Sequence, residues 1–101
     1  MSRRFIIRRD AENDITQAAL WYEEQKSGLG SEWLIELDAA FRQAVETPAI
    51  FRLLRREPEV RRILTRRFPY RVFFIVQPEA ILVFAVMHAA RHDSIWRQRL
   101  E

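Results

Sequence analysis

Arginine carries most of the recognisable chemistry in this sequence. Lysine and arginine together number 17 in 101 residues, and all but Lys26 are arginine. A guanidinium group can bind a phosphate or a carboxylate through two parallel N–H donors, which the point charge of lysine cannot do. Eight arginines lie between positions 47 and 71, and this density predicts a surface that binds an anionic partner. The residues assigned to that surface are Arg61, Arg62, Arg66, Arg67 and Arg71.

The spacing of these arginines predicts where they point. Between positions 60 and 67 they occur as two pairs. Successive side chains of a strand point to opposite faces of a sheet. The expected grouping is Arg61 with Arg67 on one face, and Arg62 with Arg66 on the other. Because a strand does not tolerate four buried guanidinium groups, at least one face or end should be open.

A second interpretation of the arginines is neutralisation within the molecule. Residues 10–46 hold nine acids and two bases, a net charge of −7, whereas residues 47–71 have a net charge of +6. The acids of the first segment could pair with the arginines of the second and leave little cationic surface. Composition alone does not choose between this interpretation and an external anionic partner.

A second group of candidate functional side chains lies near the end of the chain. His88, Arg91 and His92 are followed by Asp93. Histidine exchanges protons near neutral pH, and a neighbouring guanidinium holds an anion, so His88, Arg91 and His92 are candidate catalytic residues for attack on a phosphate ester. The alternative is a structural histidine that is satisfied at a strand end by a backbone or carboxylate partner.

Composition excludes several classes of site. Without cysteine there is no disulfide, no thiolate nucleophile and no cysteine-ligated metal. The two histidines lack the H-E-x-x-H spacing, so we predict no metal and no cofactor. Two glycines are too few for a glycine-rich phosphate loop, and no G-x-S-x-G elbow occurs.

Hydropathy predicts a cytoplasmic protein that makes no contact with membranes. The longest apolar run, Ala80–Met87, has less than half of the roughly 20 residues that span a bilayer. Near the N-terminus, Phe5, Ile6 and Ile7 are followed at once by two arginines, so no secretory signal is expected.

Two helices are predicted in the acidic half of the chain. Apolar residues at helical spacing predict the first helix over residues 11–26, with Asp10 as its N-cap. The second helix is expected to start after Ser31, as its N-cap, and to end near Thr47, because Pro48 disfavours helical geometry in the residue before it.

Strands are predicted on either side of this helix pair. A short strand is expected at residues 5–7, and β-branched and aromatic runs predict strands over 60–67, 70–76 and 80–87. Residues 48–58 show no clear period. The chain is expected to close with a helical turn that carries Trp96, capped by Asp93 or Ser94.

These elements, in the order β-α-α-β-β-β with a helical tail, predict a two-layer α+β fold. Short connections between the last three strands imply an antiparallel meander, and the two helices form an antiparallel hairpin against it. The length fits a single domain over residues 1–101.

The ordered set of short motifs resembles a known family, the RelE/ParE toxins of bacterial type II toxin–antitoxin modules. The resemblance covers nearly the whole chain. Its residues are Ala11, Asp14-Ile15, Trp21-Tyr22-Glu23, Gly28-Leu29-Gly30, Pro48, Val60-Arg61-Arg62, Phe68-Pro69-Tyr70, Val86-x-His88-x-x-Arg91 and Trp96-x-x-Arg99.

This resemblance implies a growth-inhibiting toxin that is held inactive by a cognate antitoxin, in a heterotetramer or larger complex. Relatives similar to ParE poison DNA gyrase, and relatives similar to RelE cut messenger RNA on the ribosome. Trp96 stands about where a catalytic tyrosine is expected in the second group, which argues against RNA cleavage. The Trp-Tyr-Glu helix end, the Phe-Pro-Tyr turn and the Trp-x-x-Arg tail look more like the ParE side, so the resemblance favours DNA gyrase as the target. It adds Arg91 and Arg97 to the residues expected to bind the target or the antitoxin.

Overall fold

Residues 3–101 are described by a computed structural model with three α-helices, a short 3-10 helix (Pro48–Ile50) and one sheet. The two long helices are α1 (Arg9–Gln25) and α2 (Leu29–Glu46), and a short helix, α3 (Ser94–Arg99), follows the sheet. The strands are β1 (Arg4–Ile7), β2 (Arg52–Arg55), β3 (Val60–Leu64), β4 (Tyr70–Val76) and β5 (Ala80–His88). The predicted α+β architecture, with its helix hairpin and its antiparallel meander, is confirmed.

The sheet has five strands in the order β1-β5-β4-β3-β2. Strands β2 to β5 form an antiparallel meander, and β1 pairs with β5 in parallel. The meander therefore has four strands where three were predicted. The additional strand, β2, lies in the segment without a clear period. It forms by pairing with β3, and its own residues show no apolar pattern that would predict it.

Both helix starts differ from the prediction. The first helix begins at Arg9 with Arg8 as N-cap, so Asp10 lies inside the first turn. The second begins at Leu29, and Ser31 lies inside it. Its N-cap is Gly28 in the left-handed conformation, with a φ of 88°. At the start of α2, a carboxylate from α1 accepts the free N–H groups in place of a capping serine, whereas at the start of α1 Asp10 accepts the N–H of Ala11 from within the first turn.

The side chain of Glu23 of α1 ties the two helices together. Its carboxylate accepts hydrogen bonds from the backbone N–H of Gly28 at 2.8 Å and of Gly30 at 3.1 Å. Gly30 lies so close to α1 that a Cβ atom there would be 2.6 Å from the carbonyl oxygen of Ala19. The helices therefore meet in tight contact at the turn, and α2 is held at a fixed angle above the sheet.

Each face of the sheet buries its own apolar cluster. On the hairpin face, Trp33 and Tyr22 pack with Phe68 and Phe74. The opposite face, which we call the α3 face, holds a second cluster with Phe73, Phe84 and Trp96. The short helix α3 contributes Trp96 to this cluster and packs against β5. Within residues 3–101, no helix is both long and apolar enough to cross a bilayer.

Candidate anion-binding site

Strand β3 sends its two arginines to opposite faces of the sheet. Arg61 is the register partner of Phe74, which belongs to the hairpin-face cluster, and Arg62 is the partner of Phe73 in the other cluster. The prediction is confirmed for this pair. It is wrong for Arg66 and Arg67, because β3 ends at Leu64 and both residues lie in the following turn.

Thr65 closes that turn. Its side-chain oxygen accepts a hydrogen bond from the backbone N–H of Tyr70 at 3.0 Å, and its hydroxyl donates to the carbonyl oxygen of Phe68. A carboxylate oxygen of Glu36 on α2 accepts the N–H of Phe68 at 3.1 Å. The strand is therefore stopped by local side-chain hydrogen bonds, which the β-propensity of the run does not reveal.

Three arginines of the predicted surface are neutralised within the chain: Arg71 pairs with Asp93, and the other two are Arg61 and Arg67. Arg61 pairs with Glu59 at 2.7 Å and donates to the carbonyl oxygen of Phe51 at 2.8 Å. Arg67 pairs with Glu32 of α2 at 2.6 Å. For these three residues the interpretation of internal neutralisation describes the structure.

Arg62, Arg66, Arg91 and Arg97 differ from these three. Their guanidinium groups have no carboxylate oxygen within 4.0 Å among residues 3–101. Arg66 lies beside a groove between α2 and the sheet. Arg62 and Arg97 lie together on the α3 face, so the arginines without partners do not form one continuous surface.

The α3 face contains a cavity of about 260 Å³ that we call the arginine pocket. The charged side chains that line it are Arg52, Arg62, Arg71, Arg97 and Asp93. Four guanidinium groups thus face one carboxylate. Sequence reasoning missed Arg52, because its position opposite Arg62 follows from the pairing of β2 with β3.

Arg71 forms the floor of the pocket. Its side chain is only 9% exposed, and its guanidinium lies 5.2 Å from the ring centre of Phe73. One terminal nitrogen donates to Asp93 at 2.5 Å and the other to the carbonyl oxygen of Arg91. The Nε atom is buried and has no hydrogen-bond partner within the described residues. The hydrogen bond from Arg71 holds the pKa of Asp93 below its ordinary value.

Arg97 and Trp96 form one wall of the pocket. Trp96 is buried and stacks on Phe73, with ring centres 5.4 Å apart and planes inclined by 21°. The guanidinium of Arg97 lies 5.3 Å from the centre of the Trp96 ring. Cation–π contact of this kind leaves the N–H donors free for a ligand. The pocket can bind an anion through several guanidinium groups.

The candidate catalytic residues lie elsewhere. His88 and Arg91 line a separate cleft of about 420 Å³ between α1, the end of β5 and α3. The Nδ1 atom of His88 accepts the backbone N–H of Ala90 at 3.1 Å, and that of His92 accepts the N–H of Ser94 at 3.0 Å. Both rings thus have the backbone partner expected of structural histidines.

Tyr70, which also lines this cleft, contacts the His88 ring at 5.4 Å between ring centres. Burial, together with the neighbouring Tyr22, raises the pKa of Tyr70 to about 12. Its phenol is therefore neutral at physiological pH. Within residues 3–101, no group of three or more histidine, aspartate or glutamate side chains is placed to hold a metal ion.

Comparison with known proteins gives a consistent result. A family described as the ParE toxin of the type II toxin–antitoxin system parDE matches residues 5–93. No curated protein matches the sequence significantly.

Two solved structures share the fold. The chromosomal ParDE toxin–antitoxin system from P. aeruginosa has a chain that is 14% identical, with a TM-score of 0.74 over 85% of this chain and 95% of that one. The intact RelBE toxin–antitoxin complex of E. coli has a chain that is 22% identical, with a TM-score of 0.66 over 88% of this chain and 99% of that one.

Proposed function

Because the chain belongs to the ParE toxin family of type II toxin–antitoxin systems, we propose that it inhibits growth by binding an essential target and not by cleaving RNA. DNA gyrase is the target we favour. A cognate antitoxin holds the toxin inactive in a heterotetramer or larger complex, and toxin, antitoxin and target all act in the cytoplasm.

The observation that carries this proposal is that the arginine pocket, in the described part of the chain, contains no histidine or tyrosine that could move a proton. Cleavage of RNA through its 2′-hydroxyl needs a base and an acid beside the residues that hold the phosphate. Apart from arginines, the one titratable side chain that lines the arginine pocket within residues 3–101 is Asp93, whose pKa is lowered. The indole of Trp96 does not titrate. Such a site is suited to binding.

The structure also narrows which arginines are proposed to contact a partner. Arg61 and Arg67 already bind carboxylates of the same chain, so exchanging them for an external anion gains little. Arg62 and Arg97 in the pocket, with Arg66 and Arg91 outside it, have no such partner within residues 3–101. These four residues are the proposed contacts with the target or the antitoxin.

The test compares two readouts for the full-length toxin. Gyrase, plasmid DNA and toxin are incubated and the covalently trapped, cleaved DNA is measured, while the length of a reporter message is followed in a translating extract. We expect trapped DNA and intact message. Degraded message without trapped DNA would contradict the proposal.

Variants connect that activity to the proposed contacts. The double variant Arg62→Gln, Arg97→Gln should lose most of the trapping if these residues contact gyrase, and should bind the antitoxin more weakly if they contact it instead. Arg42→Gln removes the same type of charge from an exposed position on α2 and serves as the control. An equal loss of DNA trapping or of antitoxin binding in the double variant and in Arg42→Gln would mean that only the net charge of the toxin governs these activities.

The second candidate is a ribosome-dependent endoribonuclease of the RelE type. The observation in its favour is that His88 and Arg91 line one cleft, where a ring nitrogen and a guanidinium could act on the same phosphate. In that case His88→Ala should abolish cleavage of message while the protein remains folded. Retained cleavage in His88→Ala would exclude this histidine as the base.

A further inference from the structure

We propose that the arginine pocket is a binding site for a phosphate monoester, and that Asp93 is an internal anion which the ligand must displace from Arg71. The inference goes beyond the choice of target. It concerns the chemistry of the pocket and is tested by direct binding, so it can fail while the gyrase proposal holds, or hold while that proposal fails.

The charge of the pocket is the first argument. Four guanidinium groups and one carboxylate line about 260 Å³, so three positive charges are uncompensated by the lining. Arg52 and Arg62 are direct cross-strand partners, an arrangement that destabilises a sheet through repulsion of like charges. An anion between them removes that repulsion. The pocket is therefore better matched to a bound anion than to water.

The second argument is the unsatisfied donor of Arg71. A buried polar group normally has a hydrogen-bond partner, and a missing one costs stability. Arg71 is nine-tenths buried, its two terminal nitrogens are occupied, and its Nε has no partner within residues 3–101. A phosphate group presents up to three acceptor oxygens, so it can satisfy Nε and a terminal nitrogen together.

The contact between Asp93 and Arg71 favours replacement of the Asp93 carboxylate by an external anion. Asp93 meets Arg71 through one nitrogen–oxygen contact and not through the two-pronged contact that makes arginine–carboxylate pairs strong. Its side chain is 45% exposed, and it makes no side-chain capping hydrogen bond at the start of α3. The carboxylate can therefore turn into solvent when a stronger anion arrives.

Replacement of Asp93 by the ligand also predicts whether a phosphate monoester or a phosphodiester binds more tightly. When a phosphodiester with one negative charge replaces Asp93 at Arg71, the charge facing the arginines is unchanged. A monoester with nearly two negative charges at neutral pH adds one. The volume is also below the roughly 300 Å³ at which pockets begin to enclose whole small molecules, so the pocket accommodates the terminal phosphate of a larger ligand.

The experiment measures binding of methyl phosphate and dimethyl phosphate to the full-length toxin at pH 7.5 by NMR titration. Methyl phosphate should bind about tenfold or more tightly than dimethyl phosphate. In Asp93→Asn, dimethyl phosphate should gain about tenfold, because no internal anion remains to be displaced. Asp93→Ser, which keeps a residue suited to a helix start, should behave in the same way.

Charge-matched variants separate the pocket from net charge. Arg62→Gln and Arg97→Gln should each weaken binding of methyl phosphate, whereas Arg42→Gln on α2 should not. Equal affinity for the two esters in the wild type, or no gain for dimethyl phosphate in both Asp93 variants, would overturn the proposal. So would a loss in Arg42→Gln as large as that in Arg62→Gln.

A last comparison identifies the source of the phosphate. Adenosine 5′-monophosphate is titrated beside a short single-stranded oligonucleotide that carries either a 5′-phosphate or a 5′-hydroxyl. Tighter binding of the phosphorylated oligonucleotide than of the other two supports the end of a nucleic-acid strand as the ligand. Binding of the mononucleotide as tight as that of the phosphorylated strand supports a free nucleotide. Equal binding of the two oligonucleotides contradicts a monoester site.

Discussion

On the hairpin face of the sheet, two of the three arginines from the predicted surface are paired with acids of the same chain, and on the α3 face arginines outnumber carboxylates four to one around a single cavity. Arg61 and Arg67 illustrate the first case, and Arg52 and Arg62 the second. The acid that pairs with Arg67 comes from α2, which covers only one side of the sheet, whereas Arg61 pairs with Glu59, two residues before it in the chain. Ion pairs on the covered side contribute to stability, and the proposed binding site lies on the other side.

Arg99 connects the two sides through a close ion pair with Asp14 and a longer one, at 3.8 Å, with Asp10. Asp14 of α1 accepts two hydrogen bonds from Arg99 of α3, at 2.6 and 3.0 Å, and one from the backbone N–H of Val86 at 2.9 Å. Both side chains are mostly buried. This pair fixes α3 over the end of the sheet and so positions Asp93 and Trp96 at the pocket.

The largest expected effect is therefore at Asp14. Asp14→Ala leaves the Arg99 guanidinium and the Val86 N–H without their acceptor, and should lower the free energy of unfolding by about 3 kcal/mol. Urea denaturation measures this. Asp38→Ala breaks an exposed pair with Arg42 on α2 and should cost less than about 0.5 kcal/mol. Similar losses in the two variants would show that burial does not govern these ion pairs.

The next largest change in stability is expected at Arg61 of β3, in comparison with the adjacent Arg62. Arg61→Gln removes a mostly buried ion pair and a hydrogen bond to the carbonyl of Phe51, and should cost about 1–2 kcal/mol. Arg62→Gln relieves repulsion with Arg52 and should change stability by no more than about 0.5 kcal/mol in either direction. Thermal unfolding of both variants gives the comparison. A larger loss in Arg62→Gln would mean that the α3 face also depends on its arginines for stability.

A smaller effect is expected for the pair between Arg67 and Glu32. Both side chains are substantially exposed, so Glu32→Gln should cost at most about 1 kcal/mol, and the cost should shrink as salt is added. Unfolding at low and at high ionic strength checks this. A cost that is independent of salt would indicate that the contact contributes through packing.

The smallest expected effect is on how the stability of the protein depends on pH. The folded pKa of Asp93 lies below its ordinary value of about 3.9, so its ion pair stabilises the protein above about pH 4 and this contribution is lost as the pH falls through the lowered pKa. Asp93→Asn should therefore lose less stability than the wild type below about pH 4. Urea midpoints between neutral pH and pH 2 measure this difference, with Asp38→Asn as the control. An unchanged slope in Asp93→Asn would contradict the ion pair.

Local sequence patterns predicted the elements that have strong periods of their own. Both helices, the three last strands and the terminal helix with Trp96 lie near their predicted ranges. The helix starts were predicted wrongly at Asp10 and Ser31. At α2 the acceptor is Glu23 of the preceding helix, which the pattern around Ser31 does not show, and at α1 Asp10 lies inside the first turn, where it pairs with Arg8. The strand β2 was missed because an edge strand depends on its neighbour for its pairing.

The sequence by itself determined that arginines would be dense around β3 and β4 and acids dense in the helices, since composition is a local property. It also indicated the family. Only the tertiary structure decided which arginines are neutralised, because strand register and the single-sided placement of the helices set the distance from each guanidinium to a carboxylate. Arg61 and Arg62 are neighbours in the chain, but they point to opposite faces of the sheet, so Arg61 reaches Glu59 while Arg62 lines the pocket.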